Sequence, residues 1–245
     1  MADVKQAFRD LVIANRILAH QGVVDAYGHV SMRHPDNPQR FLLSRSRSPE
    51  LVAESDIMEF TLEGKVVGDD KRPPYLERFI HGSLYEARSD VNAVVHSHAE
   101  ETLAFGITGV PLKPVIHVAS SIGPEVPVWD IADKFGDHTN LLVTNVDQGR
   151  DLAKRIGQGR VALMRGHGFA AAGATVQDVV RLSVYLPVNA RIVTTALRLA
   201  PQYKALAAGE IEGRGTFNPR APESWRAWEY WARRAGCSDL LGDMP

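Results

Sequence analysis

The chain has 245 residues, of which 44% are apolar, and a formal net charge of -1, so it can bury a sizeable core and presents no basic track for nucleic acid or an anionic membrane surface. Small molecules and protein subunits are the expected partners. No stretch approaches the about 18 consecutive apolar residues of a membrane span, and the single cysteine, Cys237, lacks an intramolecular partner, which together predict a cytoplasmic protein.

The opening stretch MADVKQAFRDLVIANRILAHQG (1–22) alternates charged and apolar residues at helical spacing, which predicts an amphipathic helix rather than a signal peptide. VDAYGHVSMRHP (24–35) reads as a turn at glycine feeding a strand, and FLLSRSRSP (41–49) as a short strand and a loop stopped by Pro49. DIMEFTLEGKVVG (56–68) places Glu63 and Gly64 between two alternating arms, the pattern of a hairpin. After KRPP, the segment 75–88 sets Leu76, Phe79, Ile80 and Leu84 at helical spacing with Pro74 placed to start the helix. NAVVHSH then reads as a buried strand, AEETLAF as a short helix and VPVWD (126–130) as another strand. VDQGRDLAKRIGQG (146–159) predicts a helix ending at glycine, VALMRGHG (161–168) a buried strand entering a turn, and 175–199 a long amphipathic helix kinked at Pro187. The tail, 203–245, spaces Trp225, Trp228 and Trp231 by three, beside Tyr230. Such an aromatic face covers the core or meets a neighbouring subunit. With no internal repeat and no low-complexity linker, one domain spanning 1–245 is the simplest account, an α/β fold with a mixed or largely antiparallel sheet covered by helices.

Two histidines one residue apart end the strand NAVVHSH. Side chains alternate along a strand, so His96 and His98 point one way and Ser97 the other. Paired imidazoles match two adjacent corners of a divalent-metal polyhedron. A third ligand is expected in MRGHGFA, where glycines flank His167 and let the backbone approach a site. A carboxylate is then wanted as a fourth ligand or as an acid/base, and Glu77 lies on the helix just before the paired histidines. His81, Tyr85 and His117 read as structural, as does Cys237.

YGHVSMR, LLSRSR, PPYLERFIH, NAVVHSH and RGHG, in this order and with these gaps, resemble the class II aldolase and adducin family over roughly 5–200. The resemblance implies an α/β/α sandwich around a mostly antiparallel sheet, commonly assembled as a homotetramer. It implies a divalent metal on His96, His98 and His167, with Glu77 as acid/base or exchangeable ligand. Zn, Mn and Fe all suit histidine and carboxylate donors. The tail 203–245 is then expected at a subunit boundary.

Differences from the sugar-phosphate aldolases of that family sharpen the expectation. Where those enzymes resemble one another in a phosphate cradle of neutral donors, this chain has Gly28 with His29, then Ser44, Arg45, Ser46 and Arg47, then Pro73 and Pro74. Proline offers neither an N–H nor a hydroxyl. Arginine matches carboxylate with a planar fork, and His29 can donate to an anionic oxygen or carry a proton. Gly28, Arg45, Ser46 and Arg47 are thus the expected substrate contacts, with Glu77 and His29 as the expected acid/base groups. In these features the chain resembles the decarboxylase branch acting on hydroxylated aromatic or heteroaromatic dicarboxylates. The expected activity is a metal-dependent decarboxylase, with a retro-aldolase for a non-phosphorylated hydroxy-keto acid as alternative. An iron-dependent oxygenase and a non-catalytic adducin-like scaffold are lesser alternatives. No organic cofactor is expected, because the metal serves as electron sink and no G-x-G-x-x-G turn follows a strand.

Overall fold

The computed structural model describes residues 4–242. In chain order its main elements are α1 (Val4–His20), β1 (His29–Arg33), β2 (Arg40–Ser44), β3 (Ile57–Thr61), α2 (Arg78–Ala87), β4 (Ala93–Ser97), α3 (Glu100–Thr108), β5 (Val128–Trp129), α4 (Ala132–Phe135), α5 (Val146–Ile156), β6 (Val161–Met164), β7 (Gly168–Gly173), α6 (Val176–Leu199), α7 (Ala208–Glu212) and α8 (Pro222–Arg234). The strands among the described residues form one sheet in the order β3-β2-β1-β4-β7-β6-β5. Every pairing is antiparallel except β5 with β6, so the sheet is mixed rather than purely antiparallel.

Alternation along the strands divides the core in two. Val30, Leu42, Val95, Leu163 and Phe169 point to one face, where α1, α3, α6 and α8 cover them. Phe41, Leu43, Phe60, Val94, Ala162 and Ala170 point to the other, beneath Ile80 and Leu84 of α2 and Leu152 and Ile156 of α5. The result is the expected three-layer sandwich. Residues 1–3 and 243–245 of the expected domain lie outside the described residues.

The helices begin where local chemistry satisfies their free N–H groups. The Asn145 side chain accepts from Gln148 N–H at 3.0 Å to cap α5, and Thr175 accepts from Asp178 N–H at 3.1 Å to cap α6. α6 passes through Pro187 as a single element. Trp228 and Trp231 are 3% and 7% exposed and belong to the core beside α1, whereas Tyr230 is 54% exposed.

Three elements differ from expectation. α2 starts at Arg78, not Tyr75, because Tyr75 is tethered by its hydroxyl to the Arg47 carbonyl and to Ser44, and Leu76 is left 64% exposed. The expected hairpin forms, with Thr61 N–H bonded to Lys65 O and Val67 N–H to Glu59 O, but its second arm is short and meets β3 as a single bridge from Val66 to Phe60. The expected turn after β6 leads into a full strand, β7, whose sequence GFAAAG is poor in the branched and aromatic residues that mark strands.

Candidate metal centre and adjoining pocket

The site forms where β4 ends, β1 and β7 begin and α2 is entered. Backbone pairing fixes much of it: His29 sits opposite His96 on β1 and β4, and Ala170 sits opposite His96 on β7. Ser97 points to the other face, where its Oγ donates to the Val23 carbonyl at 2.5 Å. A glycine is required at 28, which has φ +83°, because a Cβ there would come 2.8 Å from Val24 Cγ1 and 3.0 Å from the His96 carbonyl oxygen. Gly168 is equally constrained, since a Cβ would overlap the Ser97 carbonyl and push β7, with the preceding His167, away from β4.

Glu77, His96, His98 and His167 each place one ligand atom within 4.8 Å of the others. His98 Nε2 lies 3.0 Å from His96 Nε2 and 3.1 Å from His167 Nε2, and Glu77 Oε2 lies 3.4 Å from both of the latter nitrogens. The other ring nitrogens are anchored. His96 Nδ1 donates to Phe169 O at 3.0 Å and His167 Nδ1 to Leu141 O at 2.9 Å, which turns Nε2 of each ring toward the cluster as the nitrogen that offers a lone pair to a cation. His98 has at most one proton for two such lone pairs. Without a cation the cluster is therefore an arrangement of acceptors facing acceptors. An ion bonded at about 2.0–2.1 Å separates tetrahedral ligands by about 3.3–3.4 Å, close to the spacings found. The donor set thus fits a divalent metal.

The segment 141–143 braces this centre. Leu141 has a left-handed backbone, φ 66°, that turns its carbonyl onto His167, and Val143 N–H donates to Glu77 Oε1 at 2.9 Å. Burial raises the Glu77 pKa, but the facing His96 and His167 outweigh it and hold the carboxyl well below its usual range. His98 is pushed down to about 4, by burial first and then by the neighbouring histidines, so its electron pair is available at neutral pH.

A cavity of about 400 Å³ opens beside the cluster, bordered by Tyr27, Gly28, His29, Ser46, Arg47, Ser48, Tyr75, Glu77 and His98. Among the expected contacts, Gly28, His29, Ser46, Arg47 and Glu77 thus border one cavity. Arg45 does not: its Nε is bound to Asp56 at 2.7 Å, in the loop between β2 and β3. Arg47 directs Nε to Leu51 O at 2.6 Å and to Asp56 at 3.3 Å, leaving its terminal nitrogens without a protein partner among the described residues. Tyr75, which no spacing singled out, packs against His29 with ring centroids 4.5 Å apart. A more voluminous cavity, about 670 Å³, lies between α6 and α8 and takes in His117. It contains none of the four convergent ligands, whereas the smaller cavity is bordered by two of them, Glu77 and His98.

Comparison with known proteins identifies the family. Residues 9–194 match the model of the Class II Aldolase and Adducin N-terminal domain. The chain is 35% identical over 256 aligned residues to the decarboxylase tropJ of Talaromyces stipitatus, covering 96% of each chain. It is 30% identical to the 3,4-dihydroxyphthalate decarboxylase of Arthrobacter keyseri, covering 69% of this chain and 70% of that one. An aldolase II superfamily protein of Pseudomonas syringae superimposes with a TM-score of 0.79 at 19% identity, over 98% of this chain and 96% of that one, which bears on the fold alone.

Proposed function

Because the chain belongs to the class II aldolase and adducin family, we propose that it is a divalent-metal-dependent decarboxylase of a hydroxylated aromatic or heteroaromatic carboxylate. The observation that carries this reading is the position of Arg47, whose terminal guanidinium nitrogens are unpaired in a cavity shared with Glu77 and His98. A guanidinium fork suits a carboxylate. Tyr27 and Tyr75 give the same cavity aromatic walls, and the decarboxylase relatives support the reaction class. His96, His98 and His167 would hold the metal, with Glu77 as fourth donor or as base. A bound divalent ion supplies positive charge that draws electrons from the substrate oxygen beside the scissile bond.

The chain's own groups account for the rest. Arg47 orients a second carboxylate. The bond from the ring carbon to the departing carboxylate breaks, its electron pair stays on the carbon, and CO2 leaves. A proton must then reach that carbon. Glu77 is held ionised and is a poor donor, so His29, 4% exposed and on the cavity wall, gives a proton from Nε2 and regains one from water entering the cavity, the hydroxide left behind joining the released CO2 as bicarbonate.

Ser46 and Ser48 also border the cavity. Their hydroxyls favour, as a second reading, aldol cleavage of a hydroxylated keto acid. A substrate panel separates the two: ortho-hydroxy aromatic carboxylates, aliphatic hydroxy-keto acids and sugar phosphates, with CO2 and aldehyde release both monitored. CO2 is expected chiefly from the aromatic group. Arg47→Met should raise KM for a dicarboxylate about 10- to 100-fold, the loss of a charge-assisted contact, and leave a monocarboxylate nearly unaffected. Aldehyde release from a sugar phosphate, with aromatic carboxylates inert, would refute the proposal.

A further inference from the structure

Beyond His29 the polar groups do not stop at the cavity wall. They continue as a single file into the layer between the sheet and α2. His29 Nδ1 lies 2.6 Å from His81 Nε2, His81 Nδ1 lies 2.6 Å from Ser31 Oγ, and Ser31 Oγ lies 2.7 Å from the Tyr85 hydroxyl. The four residues are between 0% and 4% exposed. The file follows from two periodicities. Glu77 at the entry to α2, and His81 and Tyr85 within it, recur every four residues on one side, opposite His29, Ser31 and Arg33, which recur every two residues along β1. Phe41 stacks on His81 at 6.3 Å and packs on Tyr85 at 5.6 Å, closing the file off from water. Arg33 seals the far end, its guanidinium 4.9 Å above the Tyr85 ring and bonded to the carbonyls of Tyr85, Arg88 and Val91.

Apolar residues of similar volume would fill this layer without the cost of burying four polar groups. Stability alone does not explain the file. Its members are coupled, however. At 2.6 Å, one of His29 Nδ1 and His81 Nε2 donates and the other accepts, and His81 Nδ1 is likewise paired with Ser31 Oγ, so the direction of one bond fixes the next. Burial raises the Tyr85 hydroxyl, keeping it protonated.

We propose that Tyr85, Ser31 and His81 are positioning residues that set the direction of this hydrogen-bond file and so fix which nitrogen of His29 carries its proton. The Tyr85 O–H donates to Ser31, the Ser31 O–H donates to His81 Nδ1, and His81 Nε2–H donates to His29 Nδ1. The one proton of His29 is thereby placed on Nε2, facing the cavity, and Tyr75 packs on the ring to hold its plane. Reversal of the file would put a lone pair there instead, and His29 would be a base. The file therefore selects between an acid and a base at one position.

The link to proton donation rests on the proposed reaction; the direction of the file does not. The test uses the full-length protein loaded with diamagnetic Zn2+ and labelled with 15N at histidine, with the His29 signals assigned by their loss in His29→Gln. The wild type is expected to show His29 with the Nε2–H pattern alone. Ser31→Ala and Tyr85→Phe, both close to isosteric, should give His29 a mixture of tautomers. Each should also lower kcat for the best carboxylate about tenfold, with KM and bound metal unchanged, a split that mere loosening of the core does not produce. Wild-type His29 protonated at Nδ1, or an unchanged Nε2–H pattern in both variants, would overturn the proposal. If no carboxylate is turned over, the reaction assignment fails, and the nitrogen spectra still decide the direction of the file.

Discussion

Glu77 divides its carboxylate between structure and chemistry. Oε1 accepts the Val143 N–H and so ties α2 to the 141–143 segment, while Oε2 faces His96 and His167 at 3.4 Å. Glu77→Gln can keep the first contact through its amide oxygen and lacks the charge of the second. We expect it to stay folded and to retain most of its metal, while turnover falls about 10²- to 10⁴-fold, the usual size of an acid/base contribution. Metal analysis beside steady-state kinetics checks this, and undiminished activity would remove Glu77 from the reaction. The histidines should behave in the opposite way. His96→Ala, His98→Ala and His167→Ala each take one of three nitrogens from the cluster, so bound metal should drop sharply in every case while the circular dichroism of the fold is kept. Full metal occupancy in any one of them would exclude that residue as a ligand.

At the scale of elements, α1 offers a test of burial independent of the site. Asp10 accepts from Gln6 at 2.9 Å, and burial against the opposing hydrogen bonds of Gln6 and Gln177 raises its pKa to about 6. The folded-state pKa is above the unfolded value of 3.8, so this group favours the folded state most at low pH and loses that contribution as pH rises through about 6. Asp10→Asn removes the dependence. It should be more stable than the wild type at pH 8 by about 1 to 3 kcal/mol and gain roughly a third as much at pH 4.5, as read by urea denaturation. An equal gain at both values would mean that ionisation of Asp10 is not responsible. The elements themselves are largely legible, because alternation marks β1, short uninterrupted apolar runs mark β2, β4 and β6, and helical spacing marks α1, α5 and α6. β7 was not, since alanine and glycine carry little strand signal and its place comes from pairing with both β4 and β6. The convergent histidines and Glu77 could be named from strand alternation and family resemblance. Leu141 and Val143 could not, because they act through backbone atoms. His81 and Tyr85 read as structural residues in the sequence, since no spacing along the chain discloses that Ser31 stands between them. Arg45 and Arg47 share a loop motif and both reach Asp56 through Nε, and only Arg47 also borders the cavity, a difference that the motif does not carry.

Across the whole molecule, the site joins segments that have little else in common. The ligands come from the end of β4, the entry to α2 and the turn between β6 and β7, and the 141–143 segment reaches two of them through its backbone. These parts lie on the α2 and α5 side of the sheet, whereas α1 and α8 complete the opposite layer with Trp228 and Trp231. Metal binding should therefore act on the fold as a cross-link that the unfolded chain cannot form. At a free metal concentration about 100-fold above Kd the linkage is worth about 2.7 kcal/mol, and for a domain of this length each kcal/mol moves Tm by roughly 2–4 °C. Chelation should lower Tm by about 5–10 °C, and excess metal should restore it. His98→Ala should start near the chelated value and respond to neither treatment, although its core is untouched. Trp228→Ala should behave differently: the cavity left beside α1 lowers Tm with and without metal, and the interval between the two states stays the same because the ligands lie across the sheet. A chelator that shifts His98→Ala as far as the wild type would show that the stabilising ion binds somewhere other than the histidine cluster.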